Sequence, residues 1–200
     1  IMKISTCDLF IYVGGESDEW VEDVLMEATN KDMIVINLLE TLGDAAKEEE
    51  IIEGMQDEHD HEEEHDHEEE HDHEEGPEYD EHVWLSLRNA AVLVDRISQA
   101  IQTIDREHAD TYQKNTSAYI EKLNDLDRQY RETVSKGSFK TLLFGDRFPF
   151  RYMTDDYGLD YYAAFVGCSA ETEASFEPIA FLSGKVDELG LKNVMTIEGT

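Results

Sequence analysis

From Ala109 onward the chain runs for about 25 residues without Pro or Gly, and Ala109, Tyr112, Thr116, Tyr119, Leu123, Leu126 and Tyr130 recur at intervals of three and four. Residues so spaced share one face of an α-helix. A helix of that length exceeds what a compact domain ordinarily uses, so the pattern predicts a spine joining two bodies. A shorter amphipathic helix precedes it, with Ala90, Leu93, Val94, Ile97, Ile101 and Ile104 on one face.

Strand signals lie on both sides of this helical stretch. "CDLFIYVGG" is a short apolar run stopped by Gly14 and Gly15, and "DMIVINLL" is a second one. Between them, "SDEWVEDVLMEA" reads as a helix capped by Ser17 or Asp18, with Trp20, Val21, Val24 and Leu25 on its inner face. Strand, helix and strand in that order predict a βαβ unit. After Gly137 the pattern repeats: "FKTLLFG" as a strand, "DRFPFRYMTDDYGL" as a polar loop and short helix, "DYYAAFVG" as a strand, a loop leading into a helix, and "NVMTIEGT" as a further strand. The fold class expected is therefore α/β, in two halves.

Between the halves' first elements lies a segment of another kind. Seven of the eight histidines fall between His59 and His82, and the stretch from Asp57 to Glu81 holds sixteen acids and no base. The hexad His-Asp-His-Glu-Glu-Glu runs from His59 to Glu70, and a third copy breaks at Gly76. No apolar residue occurs from Glu58 to Gly76, so residues 57–76 have nothing to bury and are expected to form a disordered loop. The sixteen acids from Asp57 to Glu81 supply half of a formal charge of -32. Such a balance repels nucleic acid and anionic membrane surfaces and favours cations as partners.

Cys7 and Cys168 are the only cysteines, far apart, with neither a disulfide framework nor a paired-thiol metal motif. Both read as buried small residues, with a bridge between them as the alternative. No stretch approaches the length of a membrane span, and no signal sequence opens the chain. Ile1 runs directly into a core-like element and Thr200 falls within a strand pattern, so the chain is expected to be a fragment lacking both ends.

"DLFIYVGGESDEWVEDVL", the His-rich acidic insert, "YDEHVWLSLRNAAVLVDRISQAI", "YGLDYYAAF" and "SAETEAS" together resemble the zinc-type metal solute-binding proteins of bacterial ABC importers (cluster A-I), over essentially all 200 residues. The resemblance implies two Rossmann-like α/β lobes joined by a long rigid helix, with a transition metal in the cleft between them. It assigns 1–107 to the N-terminal lobe, 108–135 to the linker helix and 136–200 to the C-terminal lobe. It also implies export, to the periplasm or as a cell-surface lipoprotein, an ABC permease as the membrane partner, and a monomer.

The resemblance implies the ligands position by position. "EHVWLS" places His82 as a metal ligand, and the residues agree: His82 alone among the clustered histidines is followed by apolar residues, Val83-Trp84-Leu85, that can anchor it. A structural histidine is the alternative. One further family histidine is expected upstream of Ile1 and a carboxylate beyond Thr200. The remaining histidine position falls within "LLFGDRFPF", at Gly145 or Asp146. Asp146 can substitute through oxygen; otherwise it caps the short helix or pairs with Arg147. A carboxylate in place of an imidazole shifts preference toward harder cations, which keeps manganese beside zinc as a candidate.

The repeat then becomes an accessory. His59, His61, His65, His67, His71 and His73, with their flanking carboxylates, suit loose capture of several metal ions, because a floppy segment must lose entropy around each one. A solvated linker is the alternative. His108 reads as an exposed or hinge contact, and Glu171 and Glu173 as loop-ordering groups rather than catalytic carboxylates. The function expected is non-enzymatic capture of extracytoplasmic zinc for delivery to an ABC permease. A metallohydrolase built on His82, and a metal buffer or surface-interaction protein acting through the repeat, are the competing classes.

Overall fold

The computed structural model describes residues 2–56, 78–167 and 175–197. They divide into two compact units, the first made of Ile1–Lys47 and Glu81–Lys136, the second of Glu48–Asp80 and Gly137–Thr200. Each contains a two-stranded parallel sheet among its described residues, so the α/β class holds.

In the first unit, α1 (Met2–Thr6) leads into β1 (Leu9–Tyr12), α2 (Trp20–Met26) and β2 (Ile34–Asn37). The strands pair in parallel from Leu9 opposite Ile34 to Tyr12 opposite Asn37, which is the expected βαβ unit. Asn37 ends β2 and caps α3 (Leu38–Leu42), its side chain accepting from the Glu40 N–H at 3.0 Å. The cap expected for α2 takes another form. Asp18 Oδ2 accepts from the N–H groups of Val13 at 2.8 Å and Gly14 at 3.1 Å, so it closes the end of β1 instead. Of the predicted inner face of α2, Val21 is fully buried while Trp20 is about half exposed.

The two predicted helices are α4 (Leu87–Ile104), capped by Ser86 Oγ accepting from Asn89 N–H at 3.1 Å, and α5 (Ala109–Lys136). They pack against each other within the first unit. Leu93 and Ala100 of α4 and Leu123 of α5 are buried, and a buried polar pair ties them together: Thr116 Oγ1 donates to Ser98 Oγ at 2.6 Å. The apolar row of α5 is only partly covered. Tyr119, Leu126 and Tyr130 remain 51%, 40% and 41% exposed, because α4 covers a single stripe of a face that the sequence pattern makes wider.

In the second unit, β3 (Thr141–Phe148) and β4 (Asp160–Val166) pair in parallel and enclose α6 (Arg151–Tyr157); α7 (Phe176–Leu189) follows. Alternation along β3 separates two cores. Leu143 joins Ala164, Phe165 and Leu182 of α7 on one face, and Phe144 and Phe148 join Ala163, Phe150 and Tyr161 on the other. Gly158, at φ 62°, gives α6 a left-handed stop.

Three expectations change here. β3 does not end at Gly145; it continues through Asp146 and Arg147 to Phe148, with a break in register between Phe144 and Arg147. The strand expected over "NVMTIEGT" is, among the described residues, a single parallel bridge of Met195 to Phe144. Cys7 is a free thiol, half-buried rather than buried, and Cys168 lies outside the described residues.

Candidate metal centre

His82 stands at the head of a 3-10 turn, Val83–Leu85, which runs into the Ser86 cap of α4. The turn closes by the Leu85 N–H donating to the His82 carbonyl at 3.0 Å. Of the three apolar residues expected to anchor it, Val83 carries that role, being fully buried, whereas Trp84 is 47% exposed. Trp84 instead lies beside the histidine, ring centroids 5.8 Å apart. Anchored behind by Val83, the half-buried His82 ring sits on a short, well-defined element, as a ligand must.

Asp146 lies at the β3 irregularity, where the register slips by a residue. Its Oδ1 accepts from the Arg147 backbone N–H at 2.7 Å, and its Oδ2 from that of Ile197 at 3.4 Å. It does not cap the short helix, since Phe150 occupies the N-cap of α6. Each carboxylate oxygen carries a second lone pair, so these bonds orient Asp146 without using up its donor capacity. His82 belongs to the first unit and Asp146 to the second. Among the described residues no three His, Cys, Asp or Glu side chains converge on a point that would hold a metal.

His59, His61, His65, His67, His71 and His73 lie outside the described residues, as do Glu171 and Glu173. His108 is exposed, as expected, in the link between α4 and α5, its Nδ1 2.9 Å from Asp105 Oδ2. Tyr112 OH donates to the same oxygen at 2.7 Å. These bonds, the Tyr112 one foremost and the His108 one next, lower the Asp105 carboxyl below its usual value, so the trio is an end-clamp for two helices.

A second polar cluster escaped the sequence reading. Asp80 is 3% exposed, and its carbonyl accepts from the buried Tyr152 OH at 2.9 Å. Nearby, Arg151 Nη2 pairs with Glu50 Oε2 at 3.1 Å, and Tyr161 OH donates to the same oxygen at 3.3 Å. Burial first, then the Glu50 charge, pushes the Tyr161 phenol well above its usual range. With Glu49 these groups border a cavity of about 10 Å³, room for one water. No spacing in the sequence could have joined Glu50 to Arg151 and Tyr161, which are a hundred residues away. The tyrosine-rich runs around 150 and 160 were the only hint.

The family described as zinc-uptake complex component A, periplasmic (ZnuA), matches residues 1–199. The zinc-binding protein AdcA of Streptococcus pyogenes serotype M6 is 29% identical over 206 residues, covering 97% of this chain and 36% of that protein. The high-affinity zinc uptake system protein ZnuA of Bacillus subtilis is 32% identical over 192 residues, covering 96% of this chain and 56% of that protein. The crystal structure of the Zn(II)-bound ZnuA-like domain of Streptococcus pneumoniae AdcA superposes with a TM-score of 0.66 at 26% identity, over 99% of this chain and 62% of that one. The chain thus spans between about a third and just over half of the length of these curated relatives.

Proposed function

The chain belongs to the ZnuA family of zinc-uptake components, and on that premise we propose that it is part of an extracytoplasmic solute-binding protein that captures zinc and hands it to an ABC permease. Zinc is cargo here, bound and released without chemistry. The observation that carries the reading is the family match across 1–199, which includes the turn where His82 is seated on the buried Val83.

In this reading His82 binds zinc through a neutral imidazole. Asp146 adds a carboxylate oxygen, its orientation already set by the Arg147 and Ile197 N–H groups. A site with that oxygen tolerates manganese better than an all-imidazole one. The six histidines from His59 to His73 collect metal loosely and raise its local concentration. The division into two Rossmann-like lobes, 1–107 and 136–200, joined by the helix over 108–135, belongs to the same proposal, as do the permease partner, the monomeric state and a periplasmic or lipoprotein location.

The test is zinc titration of the full-length protein against a competing chelator, comparing the unaltered form, His82→Ala, Asp146→Asn and a form lacking residues 57–76. Tight binding should fall by at least about a hundredfold in His82→Ala and survive loss of the repeat. Tight binding that vanishes with the repeat and survives His82→Ala would make this a metal-buffering protein instead.

A further inference from the structure

The turn that carries His82 is held from behind by Val83. It is held from in front by the residue before it. Glu81 Oε1 accepts a hydrogen bond from the Ser17 backbone N–H at 2.8 Å, across 64 positions of sequence. The seat is tight. A Cβ built on Gly15 would lie 2.3 Å from Glu81 Oε1 and 2.4 Å from its Cγ, so the Glu81 side chain rests directly on the Gly15 backbone. Gly15 has φ -85° and ψ -166°, extended backbone open to any residue. Glycine is needed there for space, not for conformation.

The surface on which Glu81 rests is itself braced. Asp18 Oδ2 holds the Val13 and Gly14 N–H groups, the Asp18 N–H donates to the Gly15 carbonyl at 3.0 Å, and the Leu39 N–H donates to the Val13 carbonyl at 3.0 Å. Trp20 Nε1 donates to the Ser17 carbonyl at 3.0 Å. Ser17 therefore has its carbonyl engaged by Trp20 while its N–H serves Glu81. A carboxylate docked on this loop meets a partner that α2, through Trp20, and α3, through Leu39, have already fixed at the end of β1.

We infer that Glu81 is a positioning residue for zinc: its carboxylate latches the His82 turn to the loop between β1 and α2, so that the imidazole is in place before the metal arrives. The inference rests on the reading of His82 as a zinc ligand. Without the latch the ligand remains, but its turn gains freedom that zinc binding must then remove. The bond is exposed, so its loss weighs little on overall stability. Its effect belongs in zinc affinity and, more directly, in the rate of zinc loss, since a ligand on a loose turn lets go sooner.

The experiment uses the full-length protein as unaltered, Glu81→Gln, Glu81→Ala, Gly15→Ala, the Gly15→Ala/Glu81→Ala double form, and His82→Ala. Zinc affinity is measured by chelator competition and zinc release by mixing with excess chelator. Release is followed by tryptophan fluorescence, because Trp20 and Trp84 flank the latch. Glu81→Ala should weaken zinc by about tenfold through faster release, with the thermal midpoint of the metal-free form nearly unchanged. Glu81→Gln keeps an oxygen at the Oε1 position and should stay within about threefold of the unaltered protein. Gly15→Ala, which displaces the carboxylate, should match Glu81→Ala, and the double form should be no worse than either.

Unchanged affinity in Glu81→Ala alongside a His82→Ala form that has lost tight binding would overturn the latch and leave the site standing. So would additive effects in the double form, or losses that track the thermal midpoint. Tight zinc binding that persists in His82→Ala would overturn the site itself, and the latch with it.

Discussion

Val83→Ala tests what holds the His82 turn. Val83 has no exposed surface, so truncation removes two buried carbons at about 0.8 kcal/mol each and leaves a small void that adds somewhat under about 1 kcal/mol. The expected loss is about 2–2.5 kcal/mol. Val92→Ala is the internal control, the same chemistry on α4 at a residue 51% exposed. There the lost transfer term is about half as large, and the better helix propensity of alanine offsets it by about 0.6 kcal/mol, leaving a net change near zero. Urea unfolding of the metal-free protein followed by tryptophan fluorescence reads both, because Trp20 and Trp84 lie in the first unit together with Val83 and Val92. Val83→Ala should also weaken zinc, since the turn beneath His82 loses its anchor, whereas Val92→Ala should leave affinity unchanged. Equal stability losses from the two truncations would refute the assignment of Val83 as the buried anchor.

Two further expectations concern ionisation. The Tyr161 phenol is raised by burial and by Glu50, so the folded state favours its neutral form. That contribution is fully present below the ordinary phenol value of 10.0 and is lost as pH rises above it. The stability difference between the unaltered protein and Tyr161→Phe should therefore be flat below about pH 9 and shrink above about pH 10; a difference that stays constant up to about pH 11.5 would count against the assignment. Asp105 is shifted the other way, chiefly by the Tyr112 hydroxyl and then by His108. Its contribution is present above 3.8 and is lost as pH falls through the depressed folded value. Carboxyl NMR titration should find Asp105 restored toward its usual range more by Tyr112→Phe than by His108→Ala, and the reverse order would contradict the clamp described above.

What the sequence determined by itself is what repeats or alternates locally. The three-and-four spacing over α4 and α5 expresses the helical period, and the short apolar runs bounded by glycine mark β1 and β4; each became the element expected. The motif around His82 pointed to the family for a related reason: neighbours in sequence are read together. The tertiary structure decided whatever depends on which distant segment arrives. Val83, Trp84 and Leu85 are equally apolar on paper, and only packing chose Val83 as the buried one. The apolar row of α5 is continuous in sequence, yet Tyr119, Leu126 and Tyr130 stay exposed because one neighbouring helix covers one stripe. The strand through Asp146 continues past Gly145 because β4 pairs with both of its halves across the irregularity. Glu81 finds Ser17 only because the βαβ unit sets its first loop beneath the His82 turn. A hydrogen bond between residues 64 apart leaves no periodic trace, since its energy depends on three-dimensional separation and not on spacing along the chain.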